Sequence, residues 1–157
     1  MKTLTRTQLV ALAAGGSLAL LLGAFFFQAL GYAPCKMCLW QRWPHAAAII
    51  IGAAYMGVQT RVLIWLGALA AAVTSGLGAF HTGVERKWWE GPSSCTGGGD
   101  ALSGLVGNDL LPGSPTDAIV MCDQVSWEFL GLSMASYNFV FSALLVAVWV
   151  MAARKPT

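Results

Sequence analysis

LVALAAGGSLALLLGAFFFQAL, residues 9–30, carries no charged side chain over the whole run. An α-helix rises about 1.5 Å per residue, so about 20 apolar residues cover the ~30 Å of hydrocarbon in a bilayer. Three more charge-free stretches follow: 18 residues between Arg42 and Arg61, 23 between Arg61 and Glu85, and 25 between Glu128 and Arg154. The chain has 157 residues, 57% hydrophobic and only 10% charged, where a soluble domain averages about 25% charged. It is a membrane protein. Backbone groups in lipid must be paired internally and nothing shows the ten-residue alternation of barrel strands, so the spans are helices. We expect an all-α, four-helix transmembrane bundle with spans near 9–30, 44–59, 62–80 and 136–153, read as one domain over 1–157. The first span reads as retained rather than as a cleaved signal, because its apolar run is too long and Pro34 sits where cleavage would fall.

Four crossings put both termini on one side with the turn at Gln59 to Arg61. That side carries Lys2, Arg6, Arg61, Arg154 and Lys155, close to span ends; the other carries Lys36, Arg42, Arg86 and Lys87 spread over longer loops. The positive-inside rule then favours cytoplasmic termini. All seven acidic residues and all four cysteines face outward, into a compartment where disulfides persist. The net charge of +2 comes with no basic run, which gives no reason to expect nucleic acid.

Two outer loops remain, about 31–43 and 81–135. The longer contains Trp88 and Trp89 beside Arg86 and Lys87, suited to the headgroup zone, and a flexible Gly97 to Gly99 run. Leu102, Leu105, Val106 and Leu110 recur at helical spacing, consistent with a short helix in the membrane surface or with a collapsed loop. The methionines read as packing, Trp40, Trp43 and Trp127 as aromatic belts, and glycines 15, 16, 23, 67, 76 and 78 as points of close helix approach.

The chemistry-bearing residues gather in YAPCKMCLWQRWPH, 32–45, where Cys35 and Cys38 are two residues apart. Cys-x-x-Cys serves redox and metal sites alike; His45 and His81 are available as further ligands, but Cys95 and Cys122 lack the short spacing of a zinc knuckle. A bridge closing the long loop would contribute roughly 3.5 kcal/mol and one closing the short ring about 2 kcal/mol before strain. A tight ring is a poor staple and a good electron acceptor. Cys38 precedes the second span, where the helix N-terminus favours a thiolate. Arg42, four residues on, either lowers that thiol's pKa further and holds an anionic adduct, or snorkels to headgroups. His45 reads as structural; Gln41 could orient Arg42.

PCKMCLWQR at 34–42, His81 at the end of the third span, the separated Cys95 and Cys122, and WEFLGLSM at 127–134 together resemble the bacterial inner-membrane disulfide-bond formation protein B family, DsbB. The resemblance covers essentially the whole chain, including span count and loop lengths; one departure is Ala135, where many relatives carry proline. It implies a quinone-dependent thiol oxidase with catalytic Cys35, Cys38, Cys95 and Cys122. A reduced DsbA-like periplasmic thiol oxidoreductase would attack the Cys95 to Cys122 bridge through Cys95. The freed Cys122 would then attack Cys35, releasing Cys38 beside the quinone. Two electrons pass to ubiquinone or menaquinone, with Arg42, Cys38, His81 and Gln41 as the expected quinone-binding residues, and the Cys35 to Cys38 disulfide reforms. The expected location is the bacterial inner membrane. Two other readings use the same four cysteines: a membrane redox sensor or metal-binding module, and a structural tetraspan stapled by two bridges.

Overall fold

A computed structural model of the chain describes residues 4–95 and 120–156. The expected surface helix around Leu102, Leu105, Val106 and Leu110, with Gly97 to Gly99 before it, lies outside the described residues. The order of elements is α1 (Arg6–Ala29), α2 (Lys36–Gly57), α3 (Arg61–Glu85), β1 (Glu128–Phe129), β2 (Leu132–Ser133) and α4 (Met134–Arg154). Each helix packs against its neighbour in the chain, and α4 also packs against α1, which closes a four-helix bundle. The Arg6 guanidinium donates to the Lys155 carbonyl and the Lys155 ammonium to the Leu4 carbonyl, tying the termini together at one end.

Three helices, α1, α3 and α4, are long and apolar enough to cross a membrane by length and composition. The fourth, α2, runs 22 residues but spends its first turns on Lys36, Cys38, Gln41, Arg42 and His45. It starts eight residues before the expected position 44, because Cys35 serves as its N-cap. The Cys35 sulfur accepts the Cys38 backbone N–H at 3.2 Å, satisfying one of the donors a helix leaves open at its start. Pro44 then falls inside the helix, where its ring removes one ladder bond without ending the element. At the other end of the sequence of spans, α3 continues five residues past the expected 80. Thr82 turns its hydroxyl back onto the Gly78 carbonyl at 2.9 Å, and the Glu85 carboxylate accepts from Ser133, so neither polar residue breaks the helix.

Side-chain packing fixes the helix separations. Trp149 of α4 is fully buried in a core with Val10, Tyr55, Ile64 and Ala71, and a Cβ at Gly67 would sit 2.5 Å from its indole. Gly78 faces the α4 backbone itself, its added Cβ falling 2.9 Å from the Phe139 nitrogen. Gly16 meets the end of the Leu145 side chain, 2.5 Å from its added Cβ. The expectation fails at Gly15, Gly23 and Gly76, against which nothing packs; Gly15 and Gly76 are exposed, and Gly23 faces the cavity described below.

Candidate active site

The FLGLSM run forms a hairpin at the edge of the site. Phe129 pairs with Leu132 and Glu128 with Ser133, and the two residues between, Leu130 and Gly131, both take positive φ, at 51° and 76°. Two such residues are what a tight hairpin with the natural strand twist needs. Glycine adopts the conformation freely, while Leu130 is held in it by the bonds around: Arg86 donates to the Gly131 carbonyl at 3.0 Å and the Tyr137 hydroxyl to the Phe129 carbonyl at 3.0 Å. The turn delivers Ser133 to the start of α4, where its hydroxyl caps Ser136 at 3.2 Å and contacts Glu85 of α3.

The four cysteines meet in one cluster. Cys95 and Cys122 are bridged, with Cα atoms 5.2 Å apart, and Cys122 donates its backbone N–H to the Cys95 carbonyl at 2.8 Å. Cys35 and Cys38 carry free sulfurs 2.8 Å apart. Cys35, Cys95 and Cys122 are buried in one cluster with Met37 and Val84, and Cys38 packs against it. His81, almost wholly buried, stands between the pairs: its Nε2 is 3.5 Å from the Cys35 sulfur and 3.2 Å from the Cys122 carbonyl.

The expected thiolate is at the other sulfur. Cys35, not Cys38, occupies the N-cap, so the open N–H groups of α2 point at Cys35. Its pKa is lowered to about 5, chiefly by the hydrogen bond with Cys38 and, against the cost of burial, by His81. Cys38 is pushed up by the same shared proton and by burial. The N-cap position and the shared hydrogen bond thus favour the thiolate on Cys35.

Cys38 opens onto a cavity of about 450 Å³, within the size range of small-molecule sites. Gln41, Arg42, His45, His81, Glu85 and Asn138 line its polar side; Phe27, Tyr32, Trp127, Phe129, Tyr137 and Phe141 form an aromatic wall, with Phe27 and Trp127 at 5.0 Å. Arg42 leans toward α1: it donates to the Gln28 side chain at 2.7 Å and lies over the Phe25 ring at 4.7 Å. Its Nε is buried and finds no hydrogen-bond partner among the described residues.

Every residue expected at the site is thus brought to it, Cys35, Cys38, Cys95 and Cys122 in one cluster and Gln41, Arg42 and His81 around the cavity. Two polar residues lining the cavity escaped the sequence reading. Glu85 lies one helical turn from His81, its carboxylate 3.9 Å from the ring, and ended the apolar run only on paper. Asn138 is the one amide side chain in the 25-residue stretch before Arg154; a strongly polar residue at membrane depth is itself a signal. For a metal, Cys35, Cys38 and His81 present ligand atoms within 4.8 Å of one another.

The family model described as Disulfide bond formation protein DsbB matches residues 6–152. Among curated relatives, the Disulfide bond formation protein B of Xanthomonas oryzae pv. oryzae (strain MAFF 311018) is 32% identical over 130 residues, covering 79% of this chain and 75% of the relative. That of Albidiferax ferrireducens is 31% identical over 145 residues, with 87% and 79% covered, and that of Polaromonas sp. (strain JS666) is 26% identical over 140 residues, with 84% and 81% covered. No solved structure matches. With the helical bundle, the paired cysteines and a match running nearly end to end, the chain belongs to the DsbB family of disulfide bond formation proteins.

Proposed function

We propose that this protein is a quinone-dependent thiol oxidase of the bacterial inner membrane that reoxidises a DsbA-like dithiol protein. The observation that carries the reading is the placing of Cys35 and Cys38 between two surroundings: the Cys95 to Cys122 bridge packs against Cys35, while Cys38 lines a largely apolar cavity. The residues fit a quinone headgroup. The cavity has the volume, an aromatic wall suits a flat ring, and the buried Arg42 Nε is a donor without a partner among the described residues. Ubiquinone or menaquinone, when bound, supplies the acceptor for two electrons and two protons. Arg42 would hold one of its oxygens, with His81 and Gln41 lining the cavity behind it.

The protein's own steps follow from thiol exchange. A partner thiolate attacks Cys95, the Cys95 to Cys122 bond breaks, and Cys122 leaves as a thiolate; the partner's second thiol then resolves the mixed disulfide, leaving the partner oxidised. Cys122 is already in the Cys35 cluster, so its attack on an oxidised Cys35 to Cys38 pair needs little displacement. That exchange releases Cys38 and joins Cys122 to Cys35; the freed Cys95 then attacks Cys122, re-forming the Cys95 to Cys122 bridge and releasing Cys35, so that the inner dithiol carries the two electrons and would give them to the acceptor as the Cys35 to Cys38 disulfide re-forms. Cys35 departs readily when it is displaced from Cys122 because the α2 N-terminus and His81 stabilise its thiolate.

Two purified variants test this. Cys38→Ser should abolish quinone reduction. Cys95→Ser should block turnover with a protein dithiol while chemically reduced Cys35 and Cys38 still pass electrons to quinone. A Cys38→Ser protein reducing quinone at the normal rate would sink the proposal.

A further inference from the structure

The polar residues under the cavity form one continuous hydrogen-bonded chain across three helices. Gln41 Nε2 is 3.2 Å from the Met37 carbonyl and 3.0 Å from His81 Nδ1; Gln41 Oε1 is 2.6 Å from Asn138 Nδ2; Asn138 Oδ1 is 2.8 Å from His45 Nε2. Asn138 Nδ2 also lies 3.2 Å from the Thr74 hydroxyl and 3.4 Å from the Thr74 carbonyl, and Ser142 donates to Asn138 Oδ1 at 3.2 Å.

A backbone carbonyl only accepts, so two of these contacts decide the rest. The atom of Gln41 beside the Met37 carbonyl must be its NH2 group, and the atom of Asn138 beside the Thr74 carbonyl must likewise be NH2. The two assignments, made independently on different helices, agree: they set Gln41 Oε1 against an Asn138 N–H. The NH2 of Gln41 then faces His81 Nδ1, which must accept and so carries no proton. The His81 proton is on Nε2, directed at the Cys35 sulfur and the Cys122 carbonyl. By the same logic His45 carries its proton on Nε2, toward Asn138 Oδ1, and its Nδ1 is left bare; that atom is indeed buried with no partner among the described residues.

We infer that Asn138 is a positioning residue for the cysteine pair: through Gln41 it holds His81 as the Nε2–H tautomer, a fixed donor aimed at the Cys35 sulfur. A carboxamide does this where a carboxylate would undo it, since Gln41 Oε1 and the Thr74 carbonyl both ask the residue at 138 to donate. The inference deepens the oxidase reading and rests on it for its purpose, but its chemistry does not involve quinone. It also bears on the metal reading. With its Nε2 proton in place His81 offers Cys35 and Cys38 no lone pair, and a cation there would have to turn Nδ1–H against the N–H of Gln41.

The chain has only two histidines, so selectively ¹⁵N-labelled histidine gives two assignable rings, with His45→Phe identifying His81. In the reduced wild-type protein at mildly alkaline pH we expect both rings as the Nε2–H tautomer. In Asn138→Asp, repulsion between the new carboxylate and Gln41 Oε1 turns the Gln41 amide over, and His81 is expected to switch to Nδ1–H. The midpoint of Cys35 thiolate formation should rise with it by about one pH unit. A wild-type His81 carrying its proton on Nδ1 would overturn the inference even if the variant failed to fold. So would an Asn138→Asp protein in which His81 stays wholly Nε2–H. Because neither spectrum needs quinone, failure of the oxidase reading and failure of this one are separately visible.

Discussion

Cys35 shows how little of a reactive group's character is local. Cys-x-x-Cys followed by Arg42 was enough to single out the candidate pair, but the direction of its polarity was not legible, because it depends on which residue α2 adopts as N-cap and on a histidine 46 positions away in sequence. The structure predicts that ultraviolet thiolate absorbance of the reduced protein develops with a midpoint near 5 and is lost in Cys35→Ser. The folded pKa lies below the ordinary 9.0, so the thiolate stabilises the reduced fold. That contribution is complete above pH 9 and drains away as pH falls toward 5. Acid melting of the reduced protein should therefore show a loss of stability across that window that the Cys35→Ser variant lacks. Arg42 was legible as a residue and not in its pose, since the pull of Gln28 and Phe25 on it comes from another helix.

At the scale of elements, the existence of the helices was written in the charge-free stretches, because burying an unpaired charge in lipid is costly wherever it falls. Their boundaries were not. The start of α2 and the end of α3 carry polar residues that look like loop and are held in helix by a sulfur cap, a Thr82 back-bond and a buried Glu85. Glycine spacing was equally ambiguous, as it shows a gap in a helix surface without showing what fills it. Gly78→Ala should destabilise the bundle by about 1–3 kcal/mol, since its Cβ meets α4 backbone rather than a movable side-chain end. Gly15→Ala, on an open face, should leave stability unchanged or raise it by about 0.5 kcal/mol. Thermal melts of the two variants in detergent compare them directly.

Over the whole molecule, the bundle sets its two ends to different tasks. One end ties Leu4, Arg6 and Lys155 together, and the other carries the cysteines, the hairpin and the exposed Lys87 to Asp123 ion pair. Four crossings and the resemblance to a known family made this arrangement readable in outline from the sequence. The convergence of Cys35, His81 and Cys122 was not, because it requires the packing of α2, α3 and the segment before β1 on one another. Reporter fusions at the C-terminus should give cytoplasmic activity, and periplasmic activity would reverse the orientation. The central claim is that this end of the bundle joins a thiol relay to a lipid-soluble acceptor. Mixing the reduced protein anaerobically with ubiquinone or menaquinone tests it most directly. The account predicts one quinol formed for each Cys35 and Cys38 dithiol lost to disulfide, with at least one of the two quinones. A dithiol that stays reduced in the presence of excess of either quinone would contradict it.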